Sequence, residues 1–180
     1  MSEPLLPFDP AVYEAVTGLR TVRRFRPEPL PDELVGAILE AGRWTGSSKN
    51  RQAWAFVVVR QRTRLDRLAD CGDFTEPIRR AALVVAPVRL PDGYDWDLGR
   101  SSQSMMLAAA ALGVGSCPVT LHREEAGKEV LEIPVDHGCR FVLAFGYPDD
   151  DAERRDRARS ALGGRRSLEE IVYEESFAGR

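Results

Sequence analysis

The stretch SSKNRQAWAFVVV, residues 47–59, joins a polar loop directly to an apolar run. The run WAFVVV is aromatic, β-branched and uninterrupted, which predicts a strand that is covered on both faces. Two later stretches, AALVVAPV and RFVLAFGY, have the same character and predict two more buried strands. The polar residues before the first strand are therefore expected at the edge of a hydrophobic core.

Helices are predicted around these strands. Asp9 followed by Pro10 marks a helix start, and this helix is expected to end near Gly18. PDELVGAILEAGRW predicts a second amphipathic helix, WDLGRSSQSMMLAAAALGVG a long helix ended by Gly113, and REEAGKEVLEI a further helix. GSCPVT is expected as a short extended segment. The chain, 1–180, therefore predicts one three-layered domain with helices on both faces of a small mixed sheet.

The C-terminal part of the chain has a different composition. DDDAERRDRARSALGGRRSL is rich in alternating charges and predicts an exposed, mobile segment. The apolar tail after it is too short to form an element by itself, so we expect it to dock on a neighbour such as a second subunit.

Overall composition excludes several classes of protein. A formal net charge of -3 over 180 residues argues against nucleic-acid or anionic-membrane partners. Cys71, Cys117 and Cys139 are odd in number and widely spaced, which predicts free thiols. MSEPLLPFDP lacks the features of a signal peptide, and no apolar run reaches membrane-spanning length, so a cytoplasmic protein is expected.

LRTVRRF contains the first candidate binding residues, namely Arg20, Thr21 and Arg23. Guanidinium groups match phosphate oxygens bidentately, so this segment is compatible with a phosphate site. It is also compatible with a solvated basic loop, which is the commoner role of such arginine clusters. A second basic pair, Arg165 and Arg166, would complete a phosphate site only if the fold brings the two segments together.

Two further segments offer groups suited to a flat ligand. In the loop before the first strand, Ser47, Ser48, Asn50 and Gln52 carry hydroxyls and amides that could hydrogen bond to a heterocycle edge, although the same residues are common in turns. In GSCPVT, the main chain of residues 118–120 could lie against such a ligand. A helix precedes this segment, which argues against a dinucleotide-binding glycine motif.

Catalytic side chains are not apparent. His122 and His137 have no metal-ligand spacing, and no catalytic residue or metal site is predicted. The candidate residues are suited to holding a reagent, which points to a cofactor that performs the chemistry.

These segments, in this order, resemble the nitroreductase family of flavin mononucleotide (FMN) enzymes. RTVRRF resembles the family's Arg-Ser-x-Arg-x-Phe element, and GSSKNRQAW resembles its Pro-Ser-Ser-Gly-Asn-x-Gln-Pro-Trp element. LAAAALGVGSCPV is similar to the Ala-rich helix and glycine turn, FVLAFGYP to the last core strand, and RRSLEEIVYEE to the closing segment. The resemblance runs from about Arg20 to Tyr173.

The resemblance implies an α+β fold, a nitroreductase-like three-layer sandwich with a mixed central sheet. It implies an interlocked homodimer with FMN at the subunit interface and residues 165–180 packed on the partner. Its implied FMN contacts are Arg20, Thr21, Arg23, Arg165 and Arg166 at the phosphate and ribityl chain, Ser47 and Ser48 from the partner subunit, Asn50 and Gln52 at the ring edge and ribityl hydroxyls, and the main chain of Pro118, Val119 and Thr120 near flavin N5.

The implied reaction is hydride transfer from NADPH or NADH to flavin N5. The electrons then pass to a small flat nitroaromatic, quinone or related conjugated acceptor by a ping-pong mechanism. Two alternatives remain open: a flavin storage or sensor protein with little turnover, and a flavin oxidase or dehydrogenase of a specialised metabolite.

Several positions depart from the family pattern. Gly46, Lys49 and Ala53 stand where the family has proline, glycine and proline. Lys49 is compatible with two roles, stabilising the anionic reduced flavin or simply facing solvent. In LPDGYDWD, Tyr94 and Trp96 could form an aromatic lid or pack at a helix start.

Overall fold

An antiparallel sheet forms the centre of the computed structural model, which describes residues 9–159 and 164–178. Its strands are β1 Trp54–Val59, β2 Leu83–Arg89, β3 Gly115–Thr120 and β4 Phe141–Gly146. The strand order is β1-β2-β4-β3, and each neighbouring pair is antiparallel. The predicted α+β class is confirmed, but the mixed sheet is wrong for these strands. Apolar runs locate strands without encoding their direction.

The predicted helices are confirmed. The helices, in chain order, are α1 Pro10–Gly18, α2 Asp32–Arg43, α3 Arg62–Ala69, α4 Glu76–Arg80, α5 Asp95–Ala111, α6 Glu124–Leu131, α7 Asp150–Arg159 and α8 Leu168–Ile171. Asp9 caps α1 by accepting the N–H of Ala11 at 2.9 Å. Gly113 follows α5 with φ of +72°, a conformation that glycine adopts without steric cost.

The two faces of the sheet build two separate cores. On one face, Val84 and Val142 pack with Leu65 of α3 and Leu131 of α6. On the other face, the core comprises Leu83, Val85, Leu143 and Phe145 of the sheet with Ile38 of α2 and Met105 and Ala109 of α5. The alternation of neighbouring strand residues between these cores produces the predicted three layers.

The strand β1 is less buried than its sequence predicts. It pairs with β2 alone among the described strands, and Val58 is 38% exposed while Val59 is 3% exposed. The expectation of cover on both faces is therefore wrong within one chain. A continuous β-branched run does not distinguish an edge strand from a central strand.

Among the described residues, four α-helices lie where the sequence predicted no helix. The helices α3 and α4 fill the connection between β1 and β2. The charged segment after β4 forms α7, in which Glu153 is buried. The prediction that this segment is mobile is therefore wrong up to residue 159. The short tail forms α8 with a capping box between Ser167 and Glu170, so the expectation that it forms no element by itself is wrong.

Some predictions concern residues outside this description. The prediction that MSEPLLPFDP is not a signal peptide depends mostly on residues 1–8, which lie outside the described residues. Residues 160–163 of the charged segment also lie outside them. In the described part of the chain, none of the helices has the length and apolar character needed to span a bilayer.

Candidate functional site

A cleft of about 880 Å³ lies beside β3, and we call it the main cleft. Its lining includes Thr21 and Arg23, which lie shortly before Phe25 in the chain, and Pro118–Thr120 from β3. The structure therefore brings together two of the sequence segments that were predicted to bind one ligand. A cleft of this volume is in the range that holds cofactors.

The main chain of β3 forms one wall of the main cleft. Among the described strands β3 pairs only with β4, so it is an edge strand. On its outer side the Val22 N–H donates to the Ser116 carbonyl oxygen at 2.9 Å, and the part of the edge that lines the cleft is Pro118–Thr120. Pro118 and Thr120 are exposed there, while Val119 faces the core at 4% exposure. Pro118 has no N–H to leave unpaired, which suits an edge position.

The arginines at the end of the main cleft differ in their partners. Arg24 is bound to Asp156 at 2.5 Å. The Arg23 guanidinium forms no ion pair within the described residues. Arg20 donates to the carbonyl oxygens of Thr17 and Leu19 at 2.8 and 2.9 Å and likewise has no carboxylate partner in the described chain. The unpaired charges of Arg20 and Arg23 are therefore available to an anion.

A second cleft of about 520 Å³, the side cleft, adjoins this end. It is lined by Arg20, Thr21 and Arg165, so the two basic segments do meet. Thr21 lines both clefts, so they adjoin at this residue. Arg166 lines neither cleft, so its predicted contact is not reproduced by this arrangement.

Another part of the main-cleft lining, next to the end of β3, consists of residues that the sequence predictions missed. Asp73, Phe74, His122 and Arg123 lie there. Arg123 donates to the carbonyl oxygens of Asp70 and Gly72 and to Asp73 Oδ1, each at 2.8 Å. The hydrogen bond from Arg123 lowers the pKa of Asp73. In the sequence, only the glycine and proline around the connection between α3 and α4, which interrupt regular secondary structure, pointed to these residues.

Two aromatic rings stand at the mouth of the main cleft. Phe74 is 81% exposed and meets the ring of His122 edge-on at 6.0 Å. His122 Nδ1 accepts the N–H of Asp73 at 3.2 Å, which fixes the imidazole in a loop, as the sequence predicted. The two rings, inclined at 65° to each other, form an aromatic part of the cleft lining.

The residues 46–52, which we call the 46–52 loop, line a different part of the surface. Ser47, Ser48, Asn50 and Gln52 are absent from the linings of the main and side clefts. Ser47 Oγ accepts the N–H of Gln52 at 2.9 Å, and Gln52 Nε2 donates to Asn50 Oδ1 at 3.0 Å. Within one chain the predicted ring-binding loop thus stands apart from the predicted phosphate site.

The 46–52 loop is anchored to the start of α5. The carboxylate of Asp97, which is 6% exposed, accepts the N–H of Ser48 at 3.1 Å. Arg100 donates to the carbonyl oxygen of Gly46 at 3.0 Å. Both contacts come from α5 and are made to the main chain of the loop, so they fix the loop backbone relative to that helix.

The backbone of the 46–52 loop is strained. Lys49, Asn50 and Gln52 have φ of +53°, +54° and +49°. Left-handed conformations cost non-glycine residues free energy and persist where surrounding contacts impose them, often at ligand sites. Lys49 occupies the position where the family has glycine, and its side chain is exposed.

The proposed aromatic lid is only partly ordered by contacts. The guanidinium of Arg51 lies 5.6 Å above the Tyr94 ring and donates to its hydroxyl at 3.3 Å. Trp96 is 76% exposed at the start of α5, so it does not pack there within one chain.

The thiol in the main cleft is not a nucleophile at neutral pH. Burial raises the pKa of Cys117 to about 11, so the group is a neutral thiol. All three cysteines are free, as predicted, and all three are buried. The described residues contain no cluster of three or more histidines, cysteines or carboxylates that could hold a metal ion.

Comparison with known proteins identifies one family. The model of the nitroreductase family matches residues 16–86 and 78–147. A protein of Archaeoglobus fulgidus named NADH dehydrogenase/NAD(P)H nitroreductase is 31% identical over 145 residues, which cover 74% of this chain and 83% of that protein. Nitroreductase NfnB of Mycolicibacterium smegmatis is 27% identical over 215 residues, which cover 84% of this chain and 92% of that protein.

A solved structure has the same fold over almost its whole length. It is a nitroreductase of Desulfovibrio desulfuricans in complex with FMN. The TM-score is 0.80 at 26% identity, and the match covers 95% of this chain and 99% of that one.

Proposed function

The chain belongs to the nitroreductase family, and from that premise we propose that it is an FMN-dependent oxidoreductase. It takes hydride from NADH or NADPH and reduces a small flat nitroaromatic, quinone or related conjugated acceptor. The observation that carries this proposal is the convergence of unpaired Arg20 and Arg23, Thr21 and the edge of β3 on two adjoining clefts.

The groups present fit FMN in their chemistry. A phosphate needs cationic and hydroxyl donors, which Arg20, Arg23, Arg165 and Thr21 supply at the junction of the clefts. An isoalloxazine ring needs a flat wall and main-chain polar groups, which Pro118–Thr120 supply along the edge of β3. FMN, when bound, would supply the hydride acceptor and electron donor that the side chains lack.

The protein's own residues would bind and orient the reagents. Arg20, Arg23 and Arg165 would neutralise the phosphate, and the buried side of β3 would keep its outer edge rigid against the ring. The neutral thiol of Cys117 would take no covalent part. Phe74 and His122 would flank the slot into which nicotinamide and acceptor enter by turns.

A homodimer completes the proposed site. The 46–52 loop stands apart from the main cleft in one chain, although its groups suit the ring of the same ligand. The exposed apolar side chains of α1 and the tail support an interface: Val12, Tyr13, Val16, Leu168, Ile171, Val172 and Phe177. We propose that the 46–52 loop of one chain reaches the main cleft of its partner, and that residues 165–180 pack on that partner.

Steady-state kinetics test the reaction order. With FMN-loaded protein, double-reciprocal plots of rate against NADPH or NADH at several quinone concentrations should be parallel, because one slot serves both reagents in turn. Intersecting lines would show that both reagents are bound at once and would contradict the alternating scheme.

A further inference from the structure

The carboxylate of Glu153 lies behind the arginine segment that forms the phosphate end of the main cleft. Glu153 is 7% exposed and belongs to the first turns of α7. Its Oε1 atom accepts the main-chain N–H of both Arg23 and Arg24, the latter at 2.6 Å. Its Oε2 atom lies 3.6 Å from Arg157 Nε. The buried charge is thus satisfied on both oxygens.

These two N–H groups are the kind that bind anions. Successive main-chain N–H groups directed to one side form a concave anion site. Here an internal carboxylate fills that site, so the main chain of Arg23 and Arg24 is not available to an external phosphate. Recognition of a phosphate must come from side chains of this segment.

Further contacts hold the same segment against α7 and its leading residues. The Asp149 N–H donates to the carbonyl oxygen of Arg24 at 2.9 Å, and the Arg26 N–H donates to that of Tyr147 at 2.9 Å. The Arg24 guanidinium is bound to Asp156. Both arginines line the main cleft, but they differ in their partners: Arg24 is held by Asp156, whereas the Arg23 guanidinium forms no ion pair within the described residues.

From this arrangement we propose that Glu153 is a positioning residue for the cofactor phosphate. It makes no contact with the ligand itself. It fixes the main chain at Arg23 and Arg24, so that the Arg23 guanidinium stays unpaired at the main cleft while Arg24 is held by Asp156. This inference rests on the proposed FMN site. It adds to that site a residue that is separated from Arg23 and Arg24 by 130 and 129 positions in sequence.

Two substitutions separate the geometry of Glu153 from its charge. Glu153→Gln keeps a side-chain oxygen that can accept both N–H groups, whereas Glu153→Ala removes it. The ligands are FMN and riboflavin, which lacks the phosphate, and their dissociation constants are measured by fluorescence titration of the apoprotein. Asp151→Ala is the control, since Asp151 is an exposed carboxylate on the same helix paired with Arg154.

The ratio of the two dissociation constants is the decisive readout. Glu153→Ala should weaken FMN binding by about tenfold or more and leave riboflavin binding nearly unchanged, because only the phosphate contacts are lost. Glu153→Gln and Asp151→Ala should keep the wild-type ratio. In apoprotein, amide hydrogen exchange at Arg23 and Arg24 should accelerate in Glu153→Ala and change little in Glu153→Gln.

The outcomes distinguish this inference from the proposed function. Equal weakening of FMN and riboflavin in Glu153→Ala would mean a general structural role and overturn the positioning role, as would an unchanged FMN affinity. Wild-type protein that binds neither flavin would overturn the proposed function, and the positioning role with it.

Discussion

In the 46–52 loop, Lys49 departs from the family pattern and has a backbone conformation that costs free energy. Its φ of +53° is one that glycine adopts freely and that a side chain with Cβ resists. The neighbouring Asn50 shares this conformation, but asparagine tolerates it better. Lys49 is exposed, so the strain is not offset by burial of its side chain.

Replacing Lys49 by glycine should therefore stabilise the protein. Relief of the strained backbone, less the entropy cost of glycine, should raise the free energy of unfolding by on the order of 0.5–1 kcal/mol. Urea unfolding of the apoprotein measures this. Arg51→Gly is the control, because Arg51 has an ordinary φ of −67° and its replacement should destabilise. If both variants lose stability alike, strain at Lys49 is not the cause.

The buried thiols link stability to alkaline pH. Burial raises the pKa of Cys117 to about 11 and that of Cys139 to about 12, while an unfolded thiol titrates near 8.5. The unfolded chain therefore releases these protons first. The stability that the neutral thiols confer is complete below about pH 8.5 and is lost as pH rises towards 11 and 12.

A double variant isolates this effect. We expect the free energy of unfolding of wild-type protein to fall more between pH 7.5 and pH 10.5 than that of Cys117→Ala/Cys139→Ala. Other groups contribute equally to both proteins, so the difference in pH dependence reports the thiols. Parallel pH profiles would show that the thiols ionise in the folded state at their ordinary pKa.

At the level of elements, the end of β3 is fixed by the connection between α3 and α4. Arg123 binds the carbonyl oxygens of that connection, and Gly72 lies against Thr120. A Cβ added at Gly72 would be 2.5 Å from Thr75 Cγ2 and 2.7 Å from the Thr120 carbonyl oxygen. The wall of the main cleft thus depends on close approach at one glycine.

Gly72→Ala should displace this wall. The clash should cost roughly 1–3 kcal/mol of stability and weaken FMN binding, since Thr120 moves with the β3 edge. Gly99→Ala on α5 is the matched control. Nothing lies within 4 Å of its added Cβ, so a helical alanine should stabilise by up to about 1 kcal/mol. Unfolding by urea and flavin titration measure both effects. Wild-type FMN affinity in Gly72→Ala would contradict the role of this wall.

Local patterns in the sequence predicted these elements better than their assembly. Asp9, Pro10 and Gly113 mark helix ends through their own chemistry, and the apolar runs located the strands correctly. Burial of β1 and the direction of the strands depend on which strands become neighbours, which no local pattern contains. Arg23 and Arg24 are indistinguishable in sequence, and their separate roles depend on the distant Glu153 and Asp156.

At the level of the whole molecule, the predicted binding residues fall into two groups on one chain. Thr21, Arg23 and β3 line the main cleft, and the 46–52 loop lies elsewhere. If the ligand needs both groups, two chains must share each site. Exposed apolar side chains on α1 and in the tail are consistent with such an interface.

Mixing two defective variants tests this sharing. Arg23→Glu places a negative charge at the phosphate end, and Ser48→Arg places a bulky side chain on the 46–52 loop. Each alone should bind FMN poorly. After subunit exchange, random pairing of the two chains should restore tight binding in about a quarter of the sites, because each heterodimer has one site free of both changes. Flavin fluorescence titration counts them. No recovery in a confirmed heterodimer would place both groups in one chain's site.

The most direct test of the central claim is the visible spectrum of FMN-loaded protein under anaerobic conditions. Wild-type protein should bind FMN, show the absorbance of oxidised flavin, and lose that absorbance rapidly on addition of NADH or NADPH. Addition of a quinone should then restore it. Protein that binds no FMN, or whose flavin is reduced by neither nicotinamide, would contradict an FMN-dependent NAD(P)H oxidoreductase.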